Sequence, residues 1–171
     1  MKKINLILAV LLLFTIANCG GNADTLKVSD PAPDFTLQDH LGNEYSRSDY
    51  EGESPVVIYF YPKAGTPGCT DQACGIRDEY QKFEDNNIVI LGISVDSKND
   101  IAEFVKDQSL NFPLLSDESK EVATKYDVLN DFGMANRITF IIDKEGMIAE
   151  IIRDVDVETH AEEVFEIAAA L

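Results

Sequence analysis

The stretch Val56-Val57-Ile58-Tyr59-Phe60-Tyr61-Pro62-Lys63-Ala64-Gly65-Thr66-Pro67-Gly68-Cys69-Thr70-Asp71-Gln72-Ala73-Cys74 decides the reading of this chain. Val56–Tyr61 is a continuous apolar run, the pattern of a strand buried on both faces. The turn after it holds two prolines, two glycines, a threonine and a cysteine. Beyond it Ala73, Ile76, Tyr80 and Phe83 recur at spacings of three and four, which predicts a helix from about Cys69 to Asn86. Carried back one turn, that apolar stripe reaches Cys69, so Cys69 is expected to face the sheet and Cys74 to sit to one side.

A cysteine at a helix start meets unpaired backbone N–H groups and the positive end of the helix dipole, and both favour thiolate over thiol. Burial opposes ionisation, so a nearby cation is needed. Arg137, at the start of an apolar segment, is the candidate. Pro62 and Pro67 stiffen the turn, while Gly65 and Gly68 let its backbone approach closely. Five residues of helix rise about 7.5 Å and turn roughly 500°. A disulfide needs Cα atoms within about 7 Å. Cys69 and Cys74 therefore cannot bond while the helix is wound.

The rest of the chain reads as one α/β domain of mixed sheet with helices on both faces, from about Pro31 to Leu171. Two short strands flank a turn at Leu41-Gly42-Asn43. Ile88–Val95 is a second buried strand. Asn99 is expected to cap a helix carrying Ile101, Phe104 and Val105. Phe112–Leu115 forms a short strand, and Asp117 caps a helix through Val122, Ala123 and Tyr126. Arg137–Ile142 and Met147–Ile152 make a hairpin around Asp143–Gly146, with Gly133-Met134 a turn before it. A last helix runs from about Glu158 to Leu171, its inner face Val164, Ile167, Ala168 and Leu171. Tyr59, Phe60 and Phe140 are assigned to the core. His40 and His160 are assigned to the surface.

Residues 1–18 are of different material. Lys2 and Lys3 precede the apolar Ile4–Ile16, the pattern of a signal peptide too short for a comfortable membrane span. Ile16-Ala17-Asn18-Cys19 resembles a bacterial lipoprotein signal box, with Asn18 in place of the usual small residue. Cys19 is then the lipidated residue and 19–30 a tether, and the domain sits outside the cytoplasm on a bacterial membrane. An ordinary secretion signal, or an uncleaved anchor, is the alternative. Of 14 Lys and Arg, removal of Lys2 and Lys3 leaves 12 against 31 Asp and Glu, a net charge of −19. Such a surface repels nucleic acid and anionic lipid, so attachment would come from the lipid.

The run Phe60-Tyr61-Pro62-x-Ala64-x-Thr66-Pro67-Gly68-Cys69-Thr70 resembles the active-site signature of the peroxiredoxins, and Cys74 the resolving cysteine of their peroxiredoxin Q / bacterioferritin comigratory protein branch. The similarity extends from Ala32-Pro33-Asp34-Phe35 to Arg137-Ile-Thr-Phe-Ile-Ile-Asp143. Gln72 stands where many relatives carry glutamate. The resemblance implies a thioredoxin-like fold and a thiol-dependent peroxidase. In it Cys69 attacks peroxide and becomes sulfenic acid. Thr66 orients the peroxide, and the N–H groups of Gly68 and Cys69 stabilise developing charge. Pro62 shields the thiolate and Arg137 holds it ionised. Cys74 closes a Cys69–Cys74 disulfide, and a thioredoxin-like partner reopens it. No metal or other cofactor is implied, and an intramolecular resolving cysteine permits a monomer. Hydrogen peroxide and organic hydroperoxides are both expected substrates.

Three rival readings stand beside this one. A thioredoxin-type disulfide oxidoreductase expects Cys-x-x-Cys at the helix start, and here four residues intervene. A metal-binding or copper-delivery domain wants histidine near the cysteines. The third is a lipid-anchored, non-enzymatic domain in which the two thiols form a structural disulfide.

Overall fold

The computed structural model describes residues 25–171, so the signal segment, Cys19 and the first half of the tether lie outside the described residues. The fold is thioredoxin-like and of the α/β class. Seven strands form one mixed sheet in the order β2-β1-β5-β4-β3-β6-β7. They are β1 (Thr36–Asp39), β2 (Glu44–Ser46), β3 (Val56–Phe60), β4 (Val89–Ser94), β5 (Leu114–Ser116), β6 (Ile138–Ile142) and β7 (Ile148–Ile152). The helices are α1 (Pro67–Asp85), α2 (Lys98–Gln108), α3 (Glu121–Lys125) and α4 (His160–Ala168). Strands β3, β4 and β5 run parallel, and β6 lies antiparallel on the other side of β3.

Two successive crossovers, β3 to β4 and β4 to β5, step across the sheet in one direction. Right-handed crossovers then place α1 and α2 on the same face. The alternation along β3 divides the core accordingly. Val57, Tyr59 and Tyr61 meet Ala73, Ile76 and Phe83 of α1, Ile101 and Phe104 of α2, and Val164 of α4. Val56, Ile58 and Phe60 meet Val122, Ala123 and Tyr126 around α3, with Phe35 from the N-terminal segment. Where β3 pairs with β4, Gly92 lies opposite Tyr59. A Cβ there would stand 2.4 Å from Leu114 Cδ2 and 2.7 Å from the Tyr59 ring, so only glycine fits.

Several expectations are corrected at the ends of elements. Ser97, not Asn99, caps α2, its Oγ accepting from the N–H of Asp100 at 3.2 Å. Asp117 does not cap α3 directly. The chain turns through a left-handed Lys120 first, and the Asp117 carboxylate reaches over that turn to accept from Ala123 N–H at 2.8 Å. Helix α4 stops at Ala168, leaving Leu171 exposed rather than on its inner face, and Ile167 half-buried. His160, expected at the surface, has no exposed area at all. Gly42 has φ +87° in the β1–β2 turn, where the sequence places one. No helix among the described residues is long and apolar enough to cross a membrane.

Candidate active site

Strand β3 delivers the chain to the sheet's end, and Tyr61 continues the pairing by one bond to Ile93 O at 3.1 Å. The loop Pro62–Thr66 then reverses direction, with Gly65 at φ +74° and the N–H of Ala64 donating to Asp96 Oδ2 at 2.8 Å. Helix α1 begins at Pro67, whose missing N–H costs nothing at a first helical position. The start is two residues earlier than the apolar stripe alone suggests, and it puts Cys69 at the third helical position.

There the N–H groups of Gly68 and Cys69 have no acceptor within the helix. Thr66, the N-cap, makes no side-chain cap bond to them. Its hydroxyl donates backwards to Lys63 O at 2.9 Å, which leaves its lone pairs free to accept from another molecule. Pro62 is half-buried in the same loop.

Cys69 is 2% exposed, and Arg137 Nη2 donates to its Sγ at 3.3 Å. The arginine sits one residue before β6, which pairs with β3, so the sheet register itself carries the cation to the cysteine. Gly68 makes room for it: a Cβ at that position would lie 3.3 Å from Arg137 Nη2. The other guanidinium nitrogen, Nη1, donates to Gln72 Oε1. Gln72 Nε2 meets His160 Nδ1 at 3.1 Å, and His160 Nε2 meets Thr139 Oγ1 at 2.8 Å. Burial, helped by the charge of Arg137, lowers the His160 pKa to about 4. Tyr59 and Tyr61, in the same apolar cluster as Cys69, are fully buried, and burial pushes both phenols upward.

Cys74 is a free thiol like Cys69, yet its surroundings differ. It is half-buried, and its Sγ donates to Gln108 Oε1 at 3.7 Å. Arg77, one turn on, donates from Nη1 to Gln108 O at 2.7 Å, tying α1 to the end of α2. Both cysteines lie in the unbroken helix α1.

Of the sequence candidates, the structure thus brings Thr66, Gly68, Cys69 and Arg137 together, with Pro62 in the same loop, and leaves Cys74 apart. Gln72, His160, Arg77 and Gln108 are additions. Gln72 was legible only as a departure from a pattern. A histidine in an acidic amphipathic helix carries no signal of burial. Among the described residues, no group of three or more His, Cys, Asp or Glu side chains could hold a metal ion.

Residues 28–151 match the AhpC/TSA family. The chain belongs to that family. It is 38% identical over 142 residues to peroxiredoxin Bcp of Escherichia coli K12, a match covering 79% of this chain and 90% of the relative. Among solved structures it resembles peroxidoxin BcpB of Mycobacterium tuberculosis, with a TM-score of 0.79 and 32% identity over 85% of this chain and 98% of the other. The bacterioferritin comigratory protein of Xanthomonas campestris gives a TM-score of 0.76 and 30% identity, covering 85% and 96%. Membership makes this chain a thiol-dependent peroxidase, an oxidoreductase whose chemistry is carried by cysteine.

Proposed function

We propose that Cys69 is the peroxide-attacking thiol and Cys74 the thiol that resolves its oxidised form. The observation that carries this is the contact of Arg137 Nη2 with Cys69 Sγ at 3.3 Å, on a cysteine set in the first turn of α1. A cation and two free N–H groups there meet negative charge on sulfur and on the oxygens it attacks.

The Cys69 thiolate attacks the outer oxygen of a hydroperoxide. An S–O bond forms, the O–O bond breaks, and the departing alkoxide or hydroxide takes up a proton to leave as alcohol or water. Thr66 Oγ accepts from the peroxide O–H, and the N–H groups of Gly68 and Cys69 with Arg137 stabilise the separating charge. Pro62 covers the thiolate from solvent. The Cys74 thiolate then attacks the Cys69 sulfenic sulfur, expelling hydroxide that leaves as water and closing a disulfide. A dithiol reductant of thioredoxin type returns both cysteines to thiols and is itself oxidised.

The alkyl peroxide reduction activity described for the Xanthomonas campestris relative supports organic hydroperoxides as substrates beside hydrogen peroxide. We also propose extracytoplasmic attachment to a bacterial membrane, on its periplasmic or surface side, through lipidated Cys19, on the pattern of Lys2 to Cys19. Metabolic labelling with a fatty-acid analogue, lost in Cys19→Ala, tests it.

Intact mass spectrometry after one equivalent of peroxide tests the cycle. Loss of two hydrogens, localised to a Cys69–Cys74 link, is the expected result. A stable sulfenic or sulfinic Cys69 beside a free Cys74 would remove Cys74 from the mechanism.

A further inference from the structure

His160 opens α4 and is wholly buried against the sheet. A buried imidazole is costly unless its polar atoms are partnered. Both ring nitrogens are: Nδ1 by Gln72 of α1 and Nε2 by Thr139 of β6. The Tyr59 ring of β3 stands edge-on to the imidazole, centroids 6.0 Å apart. Through Gln72 the run continues to Arg137 and ends on the Cys69 sulfur. Five side chains thus link the interior of the domain to the thiol.

Donor and acceptor roles along the run are fixed by its far end. A guanidinium only donates, so Gln72 must present its oxygen to Arg137. The Gln72 NH₂ then faces His160 and needs an acceptor, which requires Nδ1 to be bare. The imidazole is therefore neutral with its proton on Nε2, aimed at Thr139 Oγ1. Any other arrangement sets two donors face to face.

We propose that His160 is a positioning residue of the peroxide-reducing site: its bare Nδ1 selects which end of the Gln72 amide faces Arg137, and so holds the guanidinium against Cys69. The role exists because residue 72 is an amide. A carboxylate offers oxygen from either side and needs no orienting partner. An amide turned end for end points its NH₂ at the guanidinium and pushes it away. The low His160 pKa, about 4, agrees with an imidazole that must stay unprotonated to accept.

This role rests on Cys69 being the thiol that meets peroxide. It is tested on the full domain by single-turnover rates of peroxide reaction with the reduced protein. His160→Phe keeps a ring but removes both nitrogens, and we expect the rate to fall about tenfold, the scale of a sub-ångström displacement at a reacting centre. The double variant Gln72→Glu/His160→Phe should return to within about threefold of the native rate, because the carboxylate restores an oxygen to Arg137 without help. A native protein that consumes peroxide and a His160→Phe variant equally fast would overturn the role alone. So would a double variant as slow as the single one, since the loss would then come from packing. A native protein that leaves peroxide untouched would overturn the reading of Cys69 and this role with it. Nitrogen-15 NMR of the native chain at pH 7 needs no variant to fold. It should find His160 neutral and protonated on Nε2, and a proton on Nδ1 would overturn the proposal.

Discussion

Cys69 and Cys74 lie in one helix, five residues apart, in opposite circumstances. Cys69 is buried, faces a guanidinium and is backed by a hydrogen-bonded run four side chains deep. Cys74 is half-buried, makes one long bond to Gln108 and has only the surface guanidinium of Arg77 beside it. The first site is built to hold one geometry, because stabilising charge at a reacting centre depends on groups that do not move. The second is held lightly, as the proposed resolving role asks of it. In an ideal helix the Cα atoms of residues five apart stand about 8.7 Å from each other, beyond the disulfide limit of about 7 Å. In the proposed cycle, rigidity at one cysteine and looseness at the other belong together.

The difference between the two cysteines should show most sharply at Cys69 itself. Cys69→Ser should abolish peroxide consumption at any substrate concentration, measured by loss of peroxide under excess dithiol. Arg137→Gln keeps a donor but removes the charge, and the first-step rate should fall by about 10²-fold, the scale for losing one donor to developing charge.

Next comes acid stability, which tests the depth of the Cys69 side. His160 has its folded pKa lowered from 6.5 to about 4. Between those values the unfolded chain binds the proton and the folded chain does not, so stability is full above about pH 6.5 and is lost as pH falls toward 4. Arg137 is the charged group acting on the ring. Its other neighbours, Gln72, Thr139 and the phenol of Tyr59, are neutral. Unfolding free energies from urea titrations at pH 7 and pH 5 should differ by about 2 kcal/mol. That dependence should vanish in His160→Phe.

Gly68→Ala is a smaller probe. It sets a methyl 3.3 Å from Arg137 Nη2, so the guanidinium must shift by a few tenths of an ångström, and a rate loss of about tenfold or less is expected by stopped flow. Smallest is Cys74→Ser, which should leave the first-step rate within about twofold and block only disulfide closure, seen as a persistent sulfenic acid that a small thiol relieves.

Much of this was legible in the sequence. The apolar run of β3, the breaker-rich loop and the stripe Ala73, Ile76, Phe83 fix a strand, a turn and a helix whose inner face includes Cys69. Arg137 was legible because it begins an apolar, β-branched run, though the pairing of that run with β3 was not. What escaped reading depends on long-range packing. Asn99 and Ser97 are equally good caps by type, and only the path of the chain chooses Ser97. His160 lies 88 residues from Gln72 in sequence, and neither side chain announces the other. Arg77 and Gln108 meet only because α1 and α2 share a face.

The proposed cycle requires α1 to be wound when reduced and unwound at its start when oxidised. Hydrogen exchange across residues 70–76, before and after one equivalent of peroxide, measures that directly. Once mass spectrometry shows the Cys69–Cys74 bond, these amides should exchange much faster, while those around Phe83 and in β3 stay protected. Equal protection of residues 70–76 in both states, with the disulfide present, would contradict that unwinding.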